Sequence, residues 1–303
     1  MIAATDLMVL APELFLGLAI LILLLVGTTL DVEREGPVLH AMSLGTLAIT
    51  AVLCLYTGDV SGRFFSGMIV SDTLRQLLNF IVIGAAAGTV LISGAYTRAR
   101  GMDRSEYYLL LLLATLGMML INAGGDLVVI FIGIETMSIA VYVLAGFRRN
   151  DPYCLEAAMK YFLFGAFATG FLLYGMALIY GATGTTNLAD IHDRVQLLRP
   201  LADQPVLMAG IAMLVVGLGF KVAAVPFHAW TPDVYEGAPT SVTAFMSVGV
   251  KAAAFAAVLR VFNEALGPAH LLWSNLLYTI AVLSMIVGNV AAVVQSNVKR
   301  MLA

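Results

Sequence analysis

Charge is what this sequence has least of. Only 12% of its 303 residues are Asp, Glu, Lys or Arg, about half the roughly 25% usual in soluble globular domains, which excludes an ordinary water-facing surface. Cysteine is scarce too. Cys54 lies inside an apolar run and Cys154 beside a short loop; with no metal spacing, iron–sulfur cluster or disulfide framework, both read as packing residues. No basic tract with interleaved aromatics marks a nucleic-acid surface, and a net charge of −3 says little about partners. The N-terminus lacks the basic region of a signal peptide. Asp6 and Glu13 stand where positive charge would be wanted, so residues 12–30 read as a retained first span.

What the sequence has is apolar length: 61% of it is hydrophobic, gathered in runs of about 20 residues, enough to cross a hydrocarbon core of roughly 30 Å. Lipid offers the backbone no hydrogen-bond partners, and the alternation of a barrel strand is missing, so the runs are helices. Polar breaks place nine of them near 12–30, 38–57, 73–95, 105–122, 126–147, 155–181, 205–229, 239–263 and 270–294. The fold class is therefore an all-α polytopic membrane protein in a lipid bilayer. Basic residues stay on the cytoplasmic side. An external N-terminus puts Arg34, Arg98, Arg100, Arg104, Arg148, Arg149, Lys299 and Arg300 inside and leaves Arg63, Arg194 and Arg199 in outer loops. The longest loop, 182–204, predicts a short amphipathic helix capped by Asn187 or Asp190, with His192 solvated. Gly84 and Gly88, four apart, predict a close helix contact.

Against this background a few ionisable residues stand out. Glu135 lies nine residues into a helix opened by Asp126, about 14 Å deep at 1.5 Å per residue, beyond the reach of snorkelling. Lys251 lies twelve residues beyond Pro239, about 18 Å along its helix. Central charges cost on the order of 2.5–3.5 kcal/mol each on insertion scales and mark ion pathways or buried partners. A buried ion pair locking two helices is the bland reading, but two lysines against one mid-span carboxylate do not balance. The second lysine, Lys221, stands in FKVAAVPFHAWTPDVYEGAP. There Pro226 cannot donate to the carbonyl of Val222, so the helix is expected to break one turn after the lysine, and Pro232 to repeat the interruption. Broken helices at membrane depth mark ion sites in transporters. His228 is a candidate relay, since imidazole titrates near neutral pH. Lys160 either snorkels to the interface or hands protons inward, whereas Asp233 and Glu236 read as solvated. Asp126 reads as a helix cap. Gly217-Leu-Gly219 lies mid-helix, outside the strand–turn–helix setting of a dinucleotide site.

These motifs resemble those of the N-subunit family of proton-pumping NADH:quinone oxidoreductase, respiratory complex I. Carrying the resemblance along nearly the whole chain are APELFLG at 11–17, YLLLLLATLGMMLINAGGDL at 108–127, GIETMS at 133–138, LAGFRRNDP at 144–152 and KYF at 160–162. YGATGTTN at 180–187, FKVAAVPFHAWTPDVYEGAPTSVTAF at 220–245 and QSNVKRML at 295–302 complete them. The resemblance implies an antiporter-like fourteen-helix fold of two inverted five-helix repeats, each with a broken helix. On that pattern 1–100 is an N-terminal three-helix segment, 101–264 the first repeat and 265–303 the start of a second, so the chain looks truncated at Ala303. It further implies that Glu135 is the fifth-helix glutamate, Lys221 the broken-helix lysine and Lys251 the central connecting lysine; the expected mechanism makes Glu135 the modulator, Lys221 the proton carrier and Lys251 the transfer site. NADH, FMN, iron–sulfur clusters and quinone would be bound by other subunits of the enzyme, with no redox site, cofactor or metal in this chain. Neighbouring antiporter-like subunits would be its partners, in an energy-transducing membrane such as the bacterial inner membrane. The rival readings are a subunit of a multi-protein monovalent cation/proton antiporter and a structural module without transport.

Overall fold

The structure, a computed structural model, describes residues 4–198 and 200–303; Arg199, counted among the outer-loop charges, lies outside the described residues. In chain order the helices are α1 (Ala4–Val9), α2 (Ala11–Thr29), α3 (Val32–Thr57), α4 (Thr73–Ala99), α5 (Ser105–Ala123), α6 (Leu127–Ala145) and α7 (Pro152–Thr183). They continue with α8 (Leu188–Leu197), α9 (Pro205–Val222), α10 (Thr231–Gly237), α11 (Thr240–Phe245), α12 (Lys251–Val258), α13 (His270–Val293) and α14 (Val298–Met301). A short antiparallel hairpin, β1 (Gly62–Phe64) and β2 (Ile69–Ser71), joins α3 to α4; the apolar pattern gave no sign of it. α11 and α12 belong to one long helix, Thr240–Ala265, which widens to π geometry over Met246–Val250 and Leu259–Ala265.

Among the described residues nine helices are long and apolar enough to cross a membrane, the number expected. Their starts follow from local chemistry. Asp72, Asp126 and Asp151 each accept a backbone N–H of the first turn of α4, α6 and α7, and Pro12, Pro152 and Pro205 sit in first turns, where a missing N–H costs nothing. The second span opens at Val32, six residues before the expected 38, and takes Pro37 into its interior.

Packing centres on α5, whose buried residues run its whole length. It meets α6 at Gly117 and Gly133: a Cβ on Gly117 would come within 2.5 Å of the Met137 amide nitrogen, so only glycine lets these backbones approach. The glycines the sequence nominated are elsewhere. Gly84 and Gly88 face open space, with nothing within 4 Å of an added Cβ. Small residues four apart license close contact but do not say which face meets a neighbour. α13 is the opposite of α5, burying only Ile280. Between it, α9 and the Thr240–Ala265 helix lies an apolar groove of about 410 Å³.

The bundle has two ends. One gathers the segments around 31, 100–104, 146–151, 231–239 and 294–303, and is called here the Arg148 end. The other gathers 58–72, 124–126, 184–204 and 265–269, the Asp72 end. At the latter, α8 buries Leu188, Ile191 and Val195, with Asn187 as its cap. His192, expected to be solvated, hydrogen-bonds through Nδ1 to the Glu264 carbonyl at 2.8 Å; the helix lies on protein, and its polar face therefore finds a backbone partner.

Candidate functional site

The helix α9 ends at Val222, sooner than the expected 229. Ala223 adopts the left-handed conformation (φ 59°), its amide bonding Phe220 O and that of Ala224 bonding Gly219 O, the paired bonds of a Schellman stop. Glycine usually takes such a position, so an alanine there holds backbone strain. The Val225–Pro226 peptide is cis. Pro226 lies in the break as expected. Pro232 does not repeat it: it sits in the first turn of α10, where proline opens a helix.

The break brings the two mid-span lysines together, Lys221 buried and Lys251 half-buried. Lys221, 2% exposed, donates from Nζ to Ser138 Oγ at 2.8 Å and to Tyr142 Oη at 3.3 Å, both on α6. Lys251 Nζ donates to the backbone carbonyl of Lys221 at 3.2 Å and lies 4.8 Å from the centroid of the Trp230 ring. A helix C-terminus carries partial negative charge and an indole face attracts cations, so Lys251 is held by a dipole and a π-face. That accounts for the cation left over in the charge balance. Glu135 is close in sequence to Ser138 but turns away, accepting from Thr169 Oγ1 of α7 at 2.8 Å. The direct carboxylate–lysine contact of about 4 Å that a simple ion pair needs is replaced by a serine and a tyrosine: no salt bridge joins Glu135 to Lys221 among the described residues.

An aromatic wall backs the lysines. Trp230 stacks on Tyr161 at 4.4 Å and 9°, Tyr161 meets Tyr142 edge-on at 4.6 Å, and Phe220 leans on Trp230 at 5.1 Å. Tyr142 is steered by Gly165, where an added Cβ would fall 2.0 Å from its hydroxyl oxygen. Gly165→Ala must displace Tyr142 from Lys221, with an expected loss of about 1–3 kcal/mol; thermal melting of the purified protein measures it, and an unchanged melt would refute the contact.

At the Arg148 end, Asp233 and Glu236, expected to be solvated, join a network with Lys160 and Arg300. Lys160 bridges Glu156 (2.7 Å) and Asp233 (2.5 Å), and Arg300 bridges Asp233 (2.8 Å) and Glu236 (2.7 Å), tying α7, α10 and α14. The hydrogen bond from Lys160 acts most strongly on Asp233 and, with the charges of Lys160 and Arg300, outweighs burial to hold its carboxyl below the usual range. A depressed acid stabilises the fold above its ordinary pKa, about 3.9, and the contribution disappears as pH falls through the lowered value. Melting temperature should therefore drop on acidification below about pH 4, less steeply in Asp233→Asn than in the parent. His228 lines a cavity of about 170 Å³ that reaches from Arg300 to Val225 and Ser284. Among the described residues, the buried His228 Nδ1 and Thr231 Oγ1 have no hydrogen-bond partner.

At the Asp72 end lies a second polar network that the sequence reading missed. Arg75 pairs with Glu13 at 2.7 Å, both almost fully buried, and donates to Val9 O. Arg260, wholly buried, grips Asp72 with both terminal nitrogens (2.6 and 2.8 Å), pairs with Glu264 and donates to Asn122 O. These arginines stand near span ends, where depth gives no alarm. The available signal was the acids Glu13, Asp72 and Glu264 at the end poorer in loop cations.

A membrane bundle with an interrupted helix and lysines converging on the interruption defines the class of polytopic helical membrane proteins with a broken span. Residues 124–303 match the family described as NADH:quinone oxidoreductase/Mrp antiporter, transmembrane, and the chain belongs to that family. It is 45% identical, over 98% of its own length, to NADH-quinone oxidoreductase subunit N 1 of Herpetosiphon aurantiacus, of which it covers 62%. Among solved structures it superposes with a TM-score of 0.79 and 37% identity on a chain of respiratory complex I from Thermus thermophilus with bound aureothin, over 96% of itself and 60% of that chain. On a chain of the Mrp complex from Dietzia sp. the TM-score is 0.78 with 26% identity, over 98% and 56%. The chain thus spans about three fifths of the length of the relatives it matches. Among the described residues no group of three or more His, Cys, Asp or Glu is arranged to hold a metal.

Proposed function

We propose that this chain is the proton-carrying part of the N subunit of NADH:quinone oxidoreductase, with Lys221 as carrier, Glu135 as modulator and Lys251 as the site that passes the proton on. The observation that supports it best is the contact of Lys251 Nζ with the Lys221 carbonyl at the helix break. Protonation of either lysine is felt by the other there, through the end of one helix and a shared aromatic wall. Glu135, held by Thr169 beside Ser138, changes the field at Lys221 by moving toward or away from it.

In this reading the basic Arg148 end faces the cytoplasm of a bacterial inner membrane and the N-terminus faces outside. Protons enter past Lys160 and along the cavity lined by His228. On the expected repeat division, Glu135, Lys160, Lys221, His228 and Lys251 all fall within 101–264, while the far wall of the cavity, with Ser284 and Arg300, belongs to 265–303. NADH, FMN, iron–sulfur clusters and quinone belong to other subunits, and neighbouring antiporter-like subunits are the partners. The Mrp fold likeness carries a second reading, a cation/proton antiporter subunit, but identity to the N subunits is much higher. Inverted membrane vesicles containing the assembled complex decide: proton uptake driven by NADH and indifferent to sodium supports the proposal, and sodium flux independent of NADH oxidation overturns it.

A further inference from the structure

We infer that Ser284 of α13 is a positioning residue that holds the α9 break open and thereby leaves the Lys221 carbonyl to Lys251; the functional part of this inference rests on the reading just given. In an uninterrupted α-helix the amide of residue 225 would bond to the carbonyl of residue 221. Here those two groups are separated. The Val225 N–H donates to Ser284 Oγ at 2.9 Å, and the Lys221 carbonyl accepts from Lys251 Nζ at 3.2 Å. The serine hydroxyl donates its own proton to the Ile280 carbonyl at 2.7 Å, so its oxygen is free to act as the acceptor that Val225 needs.

The left-handed Ala223 and Pro226 turn residues 225 and 226 out of the helix, but neither supplies a partner for the Val225 N–H. Burial makes one necessary. Val225 is 8% exposed, and a buried backbone N–H requires a partner; Ser284 is the partner that is not Lys221. α13 is otherwise the least buried span, so this hydroxyl is a specific tie from a loosely packed helix to the segment carrying the carrier lysine. Ser284 also lines both the apolar groove and the cavity lined by His228, standing on the wall between them.

The test is hydrogen–deuterium exchange of segment 222–229 in the assembled complex, with the proton-to-electron ratio measured in parallel. Ser284→Ala is expected to raise exchange at Val225 by about tenfold, the factor for one buried hydrogen bond of ordinary strength, and to lower the proton-to-electron ratio. Ser284→Thr, which keeps the hydroxyl, is expected to match the parent in both. Unchanged exchange in Ser284→Ala, or an equal effect of Thr and Ala, overturns the inference. If Ser284→Ala does not assemble, Ser284→Cys, a weaker acceptor of similar volume, carries the same expectations. Failure is distinguishable from failure of the proton-carrying reading: a Lys221→Ala complex that pumps normally refutes that reading, while the amide exchange still reports on Ser284.

Discussion

Lys221→Ala in the assembled complex is expected to cut NADH-driven proton uptake by a factor on the order of 10², the lower end of what a positioned proton-transfer group contributes. The decisive companion is Lys221→Arg. It keeps the charge and can still reach Ser138 and Tyr142, the two partners of the lysine ammonium, so a site needing only a buried cation would work. Arginine does not give up its proton in proteins. A proton carrier therefore fails with either substitution, whereas a structural cation tolerates the second. Undiminished proton stoichiometry in Lys221→Ala, or restoration by Lys221→Arg, would remove Lys221 from the pathway. Ser138→Ala should have a smaller effect, since Tyr142 remains; proton uptake in the same vesicles gives the comparison.

The three residues at the centre of this argument were legible because each is an anomaly of depth: Glu135, Lys221 and Lys251 are ionisable where the chain is otherwise apolar. Span count followed from the same contrast. What could not be read was how the anomalies are satisfied. Ser138, Tyr142, Thr169, Trp230 and Ser284 are ordinary in membrane helices, and only the fold shows that the first four, rather than an ion pair, contact Lys221, Glu135 and Lys251, while Ser284 takes the Val225 amide. The break was legible from Pro226, but not its exact end, since an alanine rather than a glycine takes the left-handed position. Pro232 and Gly84–Gly88 mislead for a common reason: a residue type states what the backbone permits, and the neighbouring elements decide whether the permission is used. Arg75 and Arg260 escaped notice because a long cation near a span end is usually bound for water. Here acids on other helices intercept both.

That interception makes Arg75→Met the substitution with the largest expected effect on stability. Arg75 and Glu13 are about equally buried, at 5% and 3% side-chain exposure; the arginine bonds Glu13 Oε1, and Oε2 has no hydrogen-bond partner among the described residues. Removing the arginine leaves a carboxylate in the interior without its charge partner, at an expected cost of about 3–5 kcal/mol. Removing both charges is different in kind. Glu13→Leu with Arg75→Met exchanges a buried ion pair for apolar volume, a change that is often neutral and sometimes stabilising. The remaining loss is the bond from Arg75 to the Val9 carbonyl, about 1 kcal/mol for an ordinary hydrogen bond. The double variant should therefore be more stable than Arg75→Met alone, the order opposite to that expected of two independent contacts. Unfolding in mixed detergent micelles at increasing SDS measures the order. If the double variant is the less stable, the pair contributes net stability of its own, and the Asp72 end is held by attraction between these charges rather than by the need to keep them matched.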